Sequence, residues 1–432
     1  MKALLFRYSF PRLAFSRIFG ILTPRAYLGR GSSFSLEEIT EPTLPADDWL
    51  LVRTGLTGIC GSDSKQVFLV GNMDNPLTAL ITFPQVLGHE VVGTVERVGP
   101  KAKALAAGQR VVLNPWLSCA PRAIQPVCDA CQRGEYYLCE HFTDGYLPPG
   151  MHIGNCSPIT GGYAPYLAAH ESQWFPIPEA VGFEQAVLAD PFSVSLHGLL
   201  KAPPLDGDLV VVYGCGTLGL LTIAILRKFY PGVTVIALAR YPHQQEMATQ
   251  LGAQHVLRAA RPLEIIETVA SLTGAKLHRP WHGKPMLMRG VKAIYDTVGS
   301  PETIEVGVRV LQPHGKLVIT GVANPARFEW TPLYFKEIEI LGSNAFGLEN
   351  LQGLKIPGMD MPGMDMPGLH LHAMQIFLHL LDQKQLDLAS FITHHFRLEQ
   401  YQQALLTAHN KARNAAIKVV IDFLGPGSSL GK

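Results

Sequence analysis

Charge is scarce in this sequence and nearly balanced. Asp, Glu, Lys and Arg make up 16% of the 432 residues and sum to a net charge of +1. A surface with no dominant sign gives no reason to expect nucleic acid or a membrane as partner. Long apolar runs are missing too: the most apolar stretch, residues 209–226, is broken by a glycine loop and suits a strand and a helix better than a membrane span. Cysteine is sparse. Of the seven, four crowd into one segment, which favours metal binding over a disulfide framework. Acidic residues are absent from positions 1–36, which carry Lys2, Arg7, Arg12, Arg17, Arg25 and Arg30. That is also a transit-peptide composition, and residues 12–22 fit an amphipathic helix. Residues 1–6 nevertheless read as a strand, so the segment is taken as a structural strand followed by a basic surface insertion. The expected location is cytoplasmic.

What the sequence does have is glycine in a telling place. Gly214-Cys215-Gly216-Thr217-Leu218-Gly219 follows a continuous apolar strand over 209–213 and precedes a helix over 220–228 that ends in Arg227 and Lys228. Strand, G-x-G-x-x-G and helix form the context of a dinucleotide fingerprint. The first Gly permits the turn, the second lets backbone approach a pyrophosphate, and the third lets helix pack on strand. A second strand over 232–238 ends at Ala239 and Arg240 with no carboxylate for ribose hydroxyls. An Arg here suits a 2′-phosphate, which favours NADP(H) while leaving NAD(H) possible. The alternative is a solvated arginine.

Strand and helix signals alternate onward: helix 262–272, strand 292–296, helix 300–310, strand 315–321 and strand 337–343 predict an α/β fold with a doubly wound parallel sheet. Thr297, Val298, Gly321 and Val322, in the turns after two of these strands, are expected to touch the cofactor. Residues 276–288 read as a loop insertion. The front of the chain reads instead as short strands and turns. The expected domains are therefore 1–181, β-rich with a cysteine lobe at about 115–145; 182–346, dinucleotide-binding; and 347–432, a linker and a return to the first domain. Within the last, a Pro-Gly-Met repeat at 357–368 reads as a linker or lid, 370–381 and 398–408 as helices, and 416–423 as a strand.

Two constellations suit metal. Cys119, Cys128, Cys131 and Cys139 in a loop-rich segment can close a four-coordinate structural zinc site. Cys60 and His89 form a second pair, with carboxylates beside each at Asp63 and Glu90, and Asp190 at the domain boundary as a possible third ligand. Cys156 and Cys215 read as buried apolar residues.

Gly58-Ile59-Cys60-Gly61-Ser62-Asp63, Gly88-His89-Glu90, the cysteine lobe, the segment from Asp190 to Gly198 and the glycine fingerprint, in that order, resemble the zinc-dependent medium-chain alcohol dehydrogenases, above all the threonine/sorbitol (polyol) dehydrogenase-like branch. The resemblance implies a GroES-like β-rich catalytic domain, a Rossmann coenzyme domain, and zinc-assisted hydride transfer between a polyol- or amino-alcohol-like alcohol and NAD(P)+. It implies that Cys60, His89 and an acid bind catalytic zinc, the acid being Glu90, Asp190 or both at different stages. Ser62 matches the hydroxyl that passes on the substrate proton, Asp63 the carboxylate behind the zinc shell, and the four lobe cysteines the structural-zinc ligands. It further implies a homodimer or homotetramer joined at the sheet edge near 337–341. Two departures stand out: eight residues separate Cys119 from Cys128 where the family has two, and Asp190 replaces the branch's usual Glu, as in formaldehyde-dehydrogenase-like members. The rivals are a zinc-free enone or quinone reductase and a non-catalytic nucleotide-binding protein; Cys60, His89, Ser62 and the cysteine lobe weigh against both. Phe68, Trp116, Phe346 and residues 356–368 are the expected pocket walls.

Overall fold

A computed structural model describes residues 1–71, 74–258, 261–324, 326–351 and 370–425. The expected Pro-Gly-Met linker at 357–368 and the pocket wall at 356–368 lie outside the described residues. The chain forms two compact units, one of Met1–Asp190 with Met374 onward, the other of Pro191–Ala373.

The first unit is built on a seven-stranded sheet centred on Trp49–Gly58. Nine of that strand's ten residues are buried, which suits its near-continuous apolar sequence. Along one side it pairs with Glu90–Val98; the other side is shared by Tyr166–His170 at its start and Lys418–Asp422 at its end. A smaller three-stranded sheet places Lys2–Phe6 between Phe34–Glu38 and Gln85–Val86. Leu4, Phe34, Tyr163 and Tyr401 belong to the core beneath it, while Trp49, Leu113 and Leu167 fill a second core. The basic segment forms a helix over Phe10–Gly20 between the first two strands.

The second unit is a six-stranded parallel sheet. Numbered in chain order, Leu209–Tyr213, Thr234–Ala239, His255–Arg258, Val291–Asp296, Leu311–Ile319 and Glu339–Gly342 stand 3-2-1-4-5-6, the doubly wound arrangement with its reversal beside the first strand. Its central strands Leu209–Tyr213 and Thr234–Ala239 are apolar and buried in all but their first residues, as suits a sheet whose strands are joined by helices such as Thr217–Phe229, Pro262–Thr273 and Pro301–Val310. Local signals set the helix ends: Gly274 closes one in the left-handed region (φ 63°), and Ser300 caps another by accepting from the Thr303 N–H.

Two expectations are corrected. Residues 276–288 are not a plain loop: Leu277–His278 and Met286–Leu287 pair as an antiparallel hairpin. The segment from His370 is not helical at its start, because His370–His372 pairs with Leu348–Asn350 before the helix Ala373–Asp382 begins. Apolar residues at helical spacing hide such a short strand, since three residues are too few to show a period.

Candidate active site

Strand pairing assembles the first cluster. Gly58 stands opposite Glu90 on one side and opposite Val420 on the other. Cys60 lies just beyond the end of that central strand, His89 just before the start of the next, and Lys418 at the start of the third. The ligand atoms of Cys60, His89 and Glu90 consequently lie within 4.8 Å of one another. Thiol, imidazole and carboxylate are the donors zinc takes, and three of them leave a fourth position open. The donor set fits.

The surroundings hold these groups in place. Asp63, buried in the helix Gly61–Val67, faces His89 Nδ1 through Oδ1 at 3.5 Å, and its Oδ2 accepts from the Tyr163 hydroxyl at 2.7 Å and the Cys60 N–H at 3.3 Å. Burial opposes charge on Asp63, but His89 and these hydrogen bonds outweigh it and hold its pKa below the ordinary value. Burial likewise opposes charge on His89, and Asp63 and Cys60 outweigh it, raising the pKa well above the usual imidazole value. A carboxylate behind a histidine fixes the orientation of the ring, as a metal site requires. Glu90 forms a buried ion pair with Lys418, whose Nζ also donates to Ile59 O at 3.3 Å. A side chain at Gly58 would collide with both partners of that pair, which accounts for glycine there.

Asp190 is not among the three grouped side chains, but it lies near enough for the charges of His89, Glu90 and Lys418 to act on it. It is buried in the first turn of the helix Ala189–Leu200, and burial, with Glu90 adding to it and His89 opposing, pushes its pKa up to about 7. Ser62 is exposed on the helix that begins at Gly61. Among the expected pocket walls, Phe346 is fully buried, edge-on to His372, and Phe68 is buried against Tyr27 and His409. Trp116 is also buried and packs against Tyr137, Phe142 and His152, while His152 in turn lies against His89 with ring centroids 4.9 Å apart. Tyr163, Lys418 and His152 were not expected from the sequence. No local pattern marks them, because each reaches the cluster through long-range pairing.

Cys119, Cys128, Cys131 and Cys139 form the second cluster, their sulfurs also within 4.8 Å of one another and none in a disulfide. Backbone N–H groups of Cys128 and His141 donate to the sulfurs of Cys119 and Cys139, both at 3.4 Å. Hydrogen bonding from Cys139 draws Cys131 down to about 5, whereas burial pushes Cys119 up to about 11. Four sulfurs converging with no bond among them suit a closed tetrahedral zinc site. The long spacing between Cys119 and Cys128 does not keep Cys119 out of the cluster. Cys156 is buried outside it.

In the second unit, Gly214 holds φ +90°, Gly216 caps the helix Thr217–Phe229, and a Cβ at Gly219 would run into the Gly214 carbonyl. Cys215 and Leu218 lie within this turn, and Cys215 is buried. Thr297 Oγ1 donates to Gly214 O at 2.7 Å, tying the turn to the neighbouring strand end. Gly299 and Gly321 approach so closely that side chains on either would strike the other's segment. Asp296, which the sequence reading passed over, anchors that turn: its Oδ1 accepts from the N–H groups of Val298 and Gly299, both at 2.9 Å. Val298 and Val322 are exposed. Ala239 is buried at its strand end, and Arg240 is exposed with its guanidinium 5.7 Å from the Tyr241 ring centroid.

Residues 46–179 match the family described as Alcohol dehydrogenase GroES-like domain, and residues 217–354 the one described as Zinc-binding dehydrogenase. The chain is 28% identical to the sorbitol dehydrogenase of Bacillus subtilis over 66% of its own length and 72% of the relative's. It is 27% identical to the (R,R)-butanediol dehydrogenase of Saccharomyces cerevisiae over 76% and 84%. Among solved structures, alcohol dehydrogenase TADH from Thermus sp. ATN1 superposes with a TM-score of 0.68 at 23% identity, covering 98% of this chain and 99% of that one. A zinc-binding dehydrogenase from Sinorhizobium meliloti bound to NADP gives 0.65 at 23%, covering 90% and 96%. Two family matches spanning both units, together with this run of polyol dehydrogenase relatives, mean that the chain belongs to the zinc-dependent medium-chain alcohol dehydrogenase superfamily, in its polyol dehydrogenase-like branch.

Proposed function

We propose that this alcohol dehydrogenase is zinc-dependent, prefers NADP(H) to NAD(H), and oxidises a polyol- or amino-alcohol-like substrate or reduces the matching carbonyl. The observation that carries the reading is the convergence of Cys60, His89 and Glu90 with Asp63 seated behind the histidine. When bound there, zinc supplies Lewis acidity to the substrate oxygen, and the nicotinamide exchanges hydride with carbon.

The chain's own residues do the rest. Ser62 Oγ takes the proton of the substrate hydroxyl and passes it to water, a route its exposure supports. Asp63 holds the His89 ring, and Lys418 holds the Glu90 carboxylate. The glycine turn ends at Gly216, the N-cap of the helix Thr217–Phe229, and that helix N-terminus receives the pyrophosphate. Thr297, Val298, Gly321 and Val322 line the neighbouring turns, and Arg240 meets the 2′-phosphate. The four lobe cysteines hold a structural zinc. In this reading the enzyme works in the cytoplasm as a homodimer or homotetramer joined along the edge strand Glu339–Gly342.

The test is NAD(P)H absorbance across a panel of polyols, secondary alcohols and amino alcohols with each cofactor, with zinc measured on the same protein. Turnover that survives complete zinc removal would refute the reading.

A further inference from the structure

The helix Phe10–Gly20 turns most of its large apolar side chains outward. Its inward face is narrow: Leu13 packs on the core, Ser16 is buried, and Gly20 lies so close to the Tyr27 ring that any side chain would strike it. At 3.6 residues per turn, Phe10, Ala14, Ile18 and Ile21 fall in one row on the opposite side, with Phe15, Phe19 and Leu22 in the next. Those two rows are open to solvent: Phe10 is 83% exposed, Ile18 63%, Ile21 86% and Leu22 81%. A contiguous apolar face of this kind marks an interaction surface.

The helix is also firmly mounted. It belongs to the segment that joins two directly paired strands, Lys2–Phe6 and Phe34–Glu38. At its base, Arg7 and Arg12 are neutralised by Glu37, and the Arg7 N–H donates to Ser33 O at 2.8 Å. Arg17 and Arg25 are different. Both are exposed and form no ion pair among the described residues; Arg17 is on the helix and Arg25 follows it in the short turn Pro24–Tyr27. No acidic residue occurs before Glu37.

We propose that this helix docks the enzyme on an anionic lipid surface, its apolar rows entering the headgroup boundary and Arg17 and Arg25 meeting lipid phosphates. Apolar area accompanied by unpaired cations is the pattern such surfaces select. An 11-residue helix is too short to span a bilayer and lies in its plane. A second copy of the chain is the poorer occupant, because a self-complementary contact on this face would join two surfaces that carry cations and no acid. The near-zero net charge, which gave no reason to expect a membrane, averages away this local excess.

Flotation of the full-length protein with phosphatidylglycerol–phosphatidylcholine vesicles, compared with pure phosphatidylcholine, tests the proposal. Binding is expected to anionic vesicles alone and to weaken with added salt. Arg17→Ala and Arg25→Ala should each cost about fivefold. Ile18→Glu with Leu22→Glu should cost at least about tenfold, and all four substitutions should leave alcohol turnover in solution unchanged. Absence of flotation, equal binding to neutral vesicles, or a self-association that Ile18→Glu disperses would each overturn it.

Discussion

Lys418 and Glu90 pair in the interior of the first unit with side chains only 3% and 2% exposed. A buried carboxylate stripped of its cation is costly, roughly 3–5 kcal/mol. Lys418→Met should therefore lower the unfolding midpoint sharply in metal-free protein. Zinc offers Glu90 another positive partner, so the loss should be smaller in the zinc-loaded enzyme. Equal losses in the two states would mean that Glu90 does not face the metal.

Asp63 is expected to tune the metal through His89. Asp63→Asn removes the charge that orients the ring and should weaken zinc at the Cys60 site by roughly 10–100-fold, measured by competition with a chelator. Tyr163→Phe deletes one hydrogen bond to the same carboxylate and should have a smaller effect. If Asp63→Asn left zinc affinity unchanged, the carboxylate would have no role behind the ligand.

These two predictions rest on residues of unequal legibility. Cys60, His89, Asp63 and Glu90 lie in short glycine-marked segments, and the lobe cysteines declare themselves by clustering. The coenzyme turn is equally legible, since the backbone path through Gly214 and Gly219 excludes side chains. Lys418 and Tyr163 are illegible for the opposite reason. An ordinary lysine opening a strand becomes a partner of Glu90 only because Lys418–Asp422 pairs beside Gly58, a register set by packing across the sheet. Asp296 could have been found: an aspartate ending an apolar strand three residues before a glycine is a turn-anchoring pattern. Between Glu90 and Asp190, spacing gave no choice, whereas the structure clusters Glu90 with Cys60 and His89.

The proposed preference for NADP(H) rests on Arg240. It is exposed at its strand tip with no ion pair among the described residues, leaving its guanidinium available to a 2′-phosphate. Arg240→Ala should raise the KM for NADP+ by about tenfold or more while changing that for NAD+ little, because a charge-assisted phosphate contact contributes about 1.5–3 kcal/mol. Equal changes for both would reverse the preference.

Lys336 gives the second unit a pH signature. Its side chain is fully buried and donates to the Leu287 and Arg309 carbonyls, both at 3.2 Å, while burial, with Arg309 adding to it, pushes its pKa down to about 7. Below pH 7 both folded and unfolded chains hold the proton, and the cost of burying the charge is fully present. Between about 7 and the ordinary 10.5 only the unfolded chain keeps it, so stability rises with pH across that window. The unfolding midpoint of the wild type relative to Lys336→Met should accordingly climb from pH 7 upward. A constant difference would show that Lys336 stays charged.

The central claim is that Cys60, His89 and Glu90 share one zinc ion. Anomalous diffraction at the zinc edge tests it most directly: the account predicts one peak among the cysteine sulfur, the imidazole and the carboxylate, and another within the four-cysteine lobe. A peak in the lobe alone, from zinc-replete crystals of active enzyme, would contradict it.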